Sequence, residues 1–121
     1  MQSRPTIIHP RYRNEFDATM QLIQGKWKII IMYEIAESGT SRFADLQHHI
    51  REVSHKTLTN QLKELADDGL IERHDFQTAQ PHVEYTLTQK GESIIPLLDA
   101  ICAWGDSHID HSQIERDLCD E

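Results

Sequence analysis

Lys56, Thr57, Thr59, Asn60 and Lys63 place hydrogen-bonding and cationic side chains in one short stretch, with no nucleophile–base pair among them. Such groups recognise a surface rich in acceptors and negative charge. An asparagine carboxamide pairs bidentately with adenine, and lysines reach guanine or phosphate. The chemistry on offer fits recognition of duplex DNA, with Ser54, His55 and Arg42 as phosphate contacts that fix register, but an amphipathic surface helix carries similar residues and the neighbouring elements must decide. Thr57 and Gln61 are equally suited to packing inward, because helical phase alone does not separate the two roles.

These residues need a helix to hold them on one side. Between Ser54 and Gly69, Leu58, Leu62 and Leu65 recur at i, i+4 and i+7, opposite Lys56, Asn60 and Lys63. Ser54 stands where an N-cap belongs and Gly69 where a left-handed terminating residue belongs. Glu64, Asp67 and Asp68 crowd the far end, so the N-terminal half is the part fit to face an anion.

The flanking chain supplies the supports. A helix is expected from about Glu15 to Gln24 (Phe16, Met20, Ile23), followed after Gly25 by an almost wholly apolar one from about Lys26 to Glu37. The latter reads as central, with Trp27 and Tyr33 in the core. Arg42 sits in a short extended link before a third helix, from about Phe43 to Ile50. A tight connection, Arg51–Val53, leads into the Ser54 helix, which gives a helix-turn-helix. Two strands follow, residues 70–76 and 83–87, joined by the polar loop 77–82. That hairpin is a wing, with Gln80 and His82 as candidate DNA contacts. Thr88 caps a last helix reaching at least Trp104, with Pro96 inside it.

The expected fold is mainly α with a small β-hairpin wing, a winged helix-turn-helix spanning residues 15–105. Residues 1–14 form a basic arm and 106–121 an acidic tail. The hairpin and the central helices can close a core unaided, so the terminal helices are left apolar surface to bury. Phe16, Met20, Leu97, Leu98, Ile101 and Trp104 are the candidate dimer interface.

Among 121 residues, net charge −8 argues at first against a nucleic-acid partner. The tail from Asp106 holds six acids and one base, which leaves −3 on residues 1–105. Between Ser41 and Lys63 four bases face two acids. The local field thus favours DNA where the total charge does not. The longest apolar run, Ile29–Tyr33, is too short to span a membrane, and no secretory signal is visible, so a reducing cytoplasm is the expected compartment. His108 and His111, with Cys102 two turns back, lack the spacing of a closed zinc site; no metal or other cofactor is expected. Cys102 reads as a buried inert thiol. No catalytic motif is present, which excludes the common enzyme classes.

Several segments together resemble the HxlR-type transcriptional regulators, a branch of the MarR-like winged-helix proteins. They are Ile23–Lys28, Arg42–Leu46, Ser54–Leu65, Asp68–Arg73, Pro81–Thr88 with Gly91, and Trp104-Gly105. The resemblance implies a homodimer that binds a palindromic operator through residues 54–68, with the wing 77–82 at the flank, and represses or activates neighbouring genes, repression being the expected direction. Many members sense oxidants through a cysteine shortly before the Gly-Lys-Trp segment. Asn14 occupies that position here, and the effector is left open. Where the family wing often carries arginine this chain has His82, so a wing contact is expected to be weaker or pH-dependent. The rival readings are a winged helix used for protein contact and a metal- or thiol-responsive sensor on the same fold.

Overall fold

The structure, a computed structural model, describes residues 11–115. Expectations concerning residues 1–10, and Cys119 in the tail, lie outside the described residues. In chain order the elements are α1 (Glu15–Ile23), α2 (Lys28–Ser38), β1 (Ser41–Arg42), α3 (Phe43–His49), α4 (His55–Asp67), β2 (Ile71–Phe76), β3 (His82–Leu87) and α5 (Gln89–His108). A short 3-10 turn, His111–Gln113, follows.

The core forms around α2. Ile31, Met32 and Ile35 are fully buried and meet Leu46 of α3, Leu58, Leu62 and Leu65 of α4, and Ile71 and Tyr85 of the sheet. These apolar stripes recur at helical spacing, and the layers close where the three helices and the sheet press them together. Burial of this kind contributes about 25 cal/mol per Å² of apolar surface removed from water, which outweighs local propensity in fixing the arrangement.

The sheet has one more strand than the sequence indicates. Its order is β1-β3-β2, antiparallel throughout, with Ser41 opposite Tyr85 and Arg42 opposite Glu84. Arg42 therefore stands on a strand, not in a free link. β2 and β3 pair from Ile71–Leu87 at the base to Phe76–His82 at the tip. Pairing with β2 alone would leave the other edge of β3 open, and β1 satisfies part of it.

Local chemistry sets the helix ends. The Asn14 side chain accepts from the Asp17 amide at 2.7 Å and caps α1. Gly69 (φ 75) ends α4 in the left-handed region, and the Leu70 amide returns to the Leu65 carbonyl at 3.0 Å. Thr88 caps α5, its hydroxyl accepting from the Gly91 amide at 3.0 Å.

α5 returns across the molecule beside α2. The Tyr33 hydroxyl donates to Asp99 at 2.8 Å. Burial, then the hydrogen bond to Asp99 and its negative charge, push the Tyr33 phenol up to about 12. Tyr33 is half-buried, at the edge of the core and not within it. Cys102 departs from its expected state: it is half-buried and disulfide-bonded, not a buried free thiol, with its sulfur 3.8 Å from the Tyr33 hydroxyl.

Candidate nucleic-acid interface

α4 owes its position to its own leucines. With Leu58, Leu62 and Leu65 sealed beneath, its other face is held outward. Ser54, His55, Lys56, Thr59, Asn60 and Lys63 are all exposed on it. The Ser54 hydroxyl accepts from the Thr57 amide at 3.1 Å and donates to the Thr57 hydroxyl at 2.9 Å. Thr57 is thus half-buried and tied to the cap. Thr59 donates to the His55 carbonyl at 2.8 Å, and the His55 ring lies 4.7 Å from that of Phe43. Among the described residues no acid pairs with Lys56, Lys63 or Arg42, and α4 has no acidic residue in its first turn. The amino end of the helix and its lysines therefore present uncompensated positive charge outward.

The hairpin stands beside this face. Gln80 is exposed at the tip. His82, expected as an outward wing contact, instead lies along the hairpin. Its ring stacks on Phe76 at 4.8 Å, Nδ1 sits 2.9 Å from the Gln80 carbonyl, and Nε2 sits 3.4 Å from the Glu84 carboxylate. The imidazole therefore packs along the wing and does not stand off from it. β1 binds the hairpin to the residue immediately before α3, so wing and helix-turn-helix share one frame. The sequence does not signal this third strand, because two residues carry no periodicity and their partners lie more than forty positions away.

On the terminal helices, Phe16 (73% exposed), Leu97, Ile101 and Trp104 (60% exposed) turn outward, and Met20 is half-buried. Leu98 departs from the expected interface set: at 1% exposure it is sealed by the chain's own atoms, since it points back toward the domain while its neighbours on α5 point away. Trp104 stacks on His108 at 4.4 Å. The His108 and His111 rings engage helix backbone and Asp106 respectively, away from one another's chemistry. Among the described residues, no group of three or more His, Cys, Asp or Glu could hold a metal ion. Among the described residues no helix is long and apolar enough to cross a membrane.

Helix-turn-helix, tethered hairpin and outward polar helix together define a winged-helix transcriptional regulator. The profile of HxlR-like helix-turn-helix proteins matches residues 22–113, and the chain belongs to that family. An uncharacterised HTH-type transcriptional regulator of Halalkalibacterium halodurans, BH0655, is 44% identical over 90 residues, covering 74% of this chain and 80% of that protein. An uncharacterised HTH-type regulator of the archaeon Methanothermobacter thermautotrophicus is 36% identical over 102 residues, covering 84% and 77%. Among solved structures, the HTH-type regulator YtcD superposes with a TM-score of 0.75 at 38% identity, covering 79% of this chain and 97% of that one. The reduced form of the redox regulator HypR gives 0.75 at 33% identity, covering 80% and 95%.

Proposed function

We propose that this chain is a homodimeric repressor that reads a palindromic operator, with α4 in the major groove and the wing tip at the flank. The observation that carries this reading is the outward face of α4, where Lys56, Asn60 and Lys63 stand exposed, the lysines in no ion pair among the described residues, on a helix fixed from below by buried leucines. Asn60 and the lysines read base edges, while Ser54, His55 and Arg42 hold phosphates. Gln80 is the wing contact. A two-fold dimer sets the two helices roughly 34 Å apart, one turn of DNA.

The exposed apolar residues of α1 and α5 support the dimer, since neighbouring exposed side chains of this size are uncommon on a monomer surface. In sedimentation, the parent protein is expected at twice the 14.1 kDa chain mass, and Trp104→Glu at the single-chain mass with its helical content retained. A Trp104→Glu protein that stays dimeric places the interface elsewhere.

The function itself is tested by titrating DNA from immediately upstream of the protein's own gene, and then genomic fragments, against salt and random competitor. Saturable, selective binding that weakens log-linearly with salt is expected. No preference for any fragment over random DNA would sink the reading in favour of a protein-contact role. Running the titration with and without a thiol reductant addresses a second reading. The disulfide at Cys102 favours a redox-responsive regulator, and HypR is itself described as a redox regulator. That reading requires operator affinity to change on reduction.

A further inference from the structure

Lys28, the first residue of α2, is only 8% exposed, yet it forms no hydrogen bond or ion pair among the described residues. Most of its side chain is out of water, and among the described residues the ammonium at its end has no anion to pair with. Its placement adds to this, because a cation at the amino end of a helix opposes the helix dipole. Trp27, the N-cap of α2, makes no side-chain capping bond, so the first-turn amides of α2 also lack a side-chain acceptor. Gln47 Oε1 is the only sealed side-chain polar atom without a partner among the described residues. The Lys28 ammonium is therefore not sealed, and Lys28 is among the residues that line a pocket beside it.

That pocket, about 610 Å³, lies between the α1–α2 turn and the carboxyl half of α4. Its walls are opposite in charge. Lys26, Trp27 and Lys28 stand on one side, and Glu64, Asp67 and Asp68 on the other. Lys26 Nζ sits 4.8 Å from the centre of the Trp27 ring. The volume falls in the range of small-molecule sites.

We propose that this pocket binds a small zwitterion of the amino-acid class, its carboxylate on Lys28 and the amino end of α2 and its ammonium toward the acidic wall of α4. The ligand's side chain lies against Trp27. An anion at Lys28 satisfies both the unpaired cation and the uncapped amides, and an amine opposite offsets the acids that would otherwise repel it. Because the acidic wall belongs to α4, the occupant bridges α2 to the helix that faces DNA. The inference goes beyond the DNA-binding reading, and its test uses no DNA, so the two fail separately.

The test is Trp27 fluorescence in a Trp104→Phe background, titrated with L-phenylalanine, 3-phenylpropionate and 2-phenylethylamine. Saturable change is expected with phenylalanine, weaker binding with phenylpropionate, and weakest with the amine. Lys28→Met in the same background is expected to weaken phenylalanine binding by about tenfold or more, the loss of a charge-assisted hydrogen bond. Its thermal midpoint should hold or rise, because a cation without an anion, at the amino end of a helix and on a mostly buried side chain, is replaced by an apolar chain of similar volume. The proposal is overturned by no saturable change with any of the three probes, by phenylethylamine binding as tightly as phenylalanine, or by unchanged affinity in a folded Lys28→Met protein.

Discussion

Lys56→Glu is expected to lower operator affinity by about 100-fold or more while leaving the fold as stable as the parent or slightly more so. The first effect follows from exposure and position. Lys56 lies in the first turn of α4, on the outward face, with no ion pair among the described residues. Reversal removes a contact to base or phosphate, worth about 1–3 kcal/mol, and adds repulsion from the DNA backbone. A dimer suffers the loss twice. The second effect has the opposite sign because α4 has no acid in its first turn. A glutamate there complements the helix dipole and contributes about 0.3–1 kcal/mol. Electrophoretic or anisotropy titration at several salt concentrations checks the first, with the slope of log affinity against log salt falling by about one per subunit. Thermal unfolding checks the second. Full binding by Lys56→Glu would exclude this face of α4 as the DNA-reading surface.

The largest expected loss of stability comes from one methyl group. A Cβ built on Gly91 falls 2.0 Å from the Leu70 carbonyl oxygen, 3.0 Å from its carbon and 3.4 Å from a Leu87 methyl. The obstructing atoms are backbone, so no side-chain rotation relieves them. That same Leu70 carbonyl accepts from the Thr88 amide at 3.1 Å, and the Thr88 hydroxyl bonds both Gly69 and Gly91. Displacing α5 from Leu70 therefore breaks the cap of α5 and loosens the junction between α4 and β2 together. Gly91→Ala should cost about 3 kcal/mol, the upper part of the range for overpacking. In urea, this moves the unfolding midpoint down by about 1–3 M at the usual slope for a small domain. A midpoint within experimental scatter of the parent would mean that α5 is not seated on Leu70 as described.

Much of this architecture is legible in the order of residues, and the exceptions have physical reasons. Leu58, Leu62 and Leu65, bracketed by Ser54 and Gly69, announce α4 because spacing, cap and stop all agree. The hairpin shows through the alternation of Val83, Tyr85 and Leu87. β1 does not show, because Ser41 and Arg42 become a strand only when β3 arrives beside them. Lys28 reads as surface, since a lysine in an apolar run is normally taken to reach water; its burial arises from how α1, α2 and α4 converge. Leu98 has the same periodicity as Leu97 and Ile101, and only the direction in which α5 lies against α2 separates inward from outward. The exposed positions of α4 follow from the leucine spacing, except at Thr57 and Gln61, where helical phase does not separate outward from inward and both are half-buried. The orientation of His82 does not follow from spacing, because it depends on Phe76 and Glu84 across the hairpin.

The two-residue strand β1 also fixes a gauge. Arg42 pairs with β3 and immediately precedes α3, so the span from wing tip to reading helix behaves like the jaws of a caliper set at one opening. In the proposed DNA-binding role, a reader built this way would measure its target as well as recognise bases. DNA whose groove width departs from that setting must be deformed to fit, at an energy that depends on its sequence. In that role, two operators with identical contacted bases and different intervening steps are expected to be unequal sites, the difference set by the stiffness of bases the protein never touches.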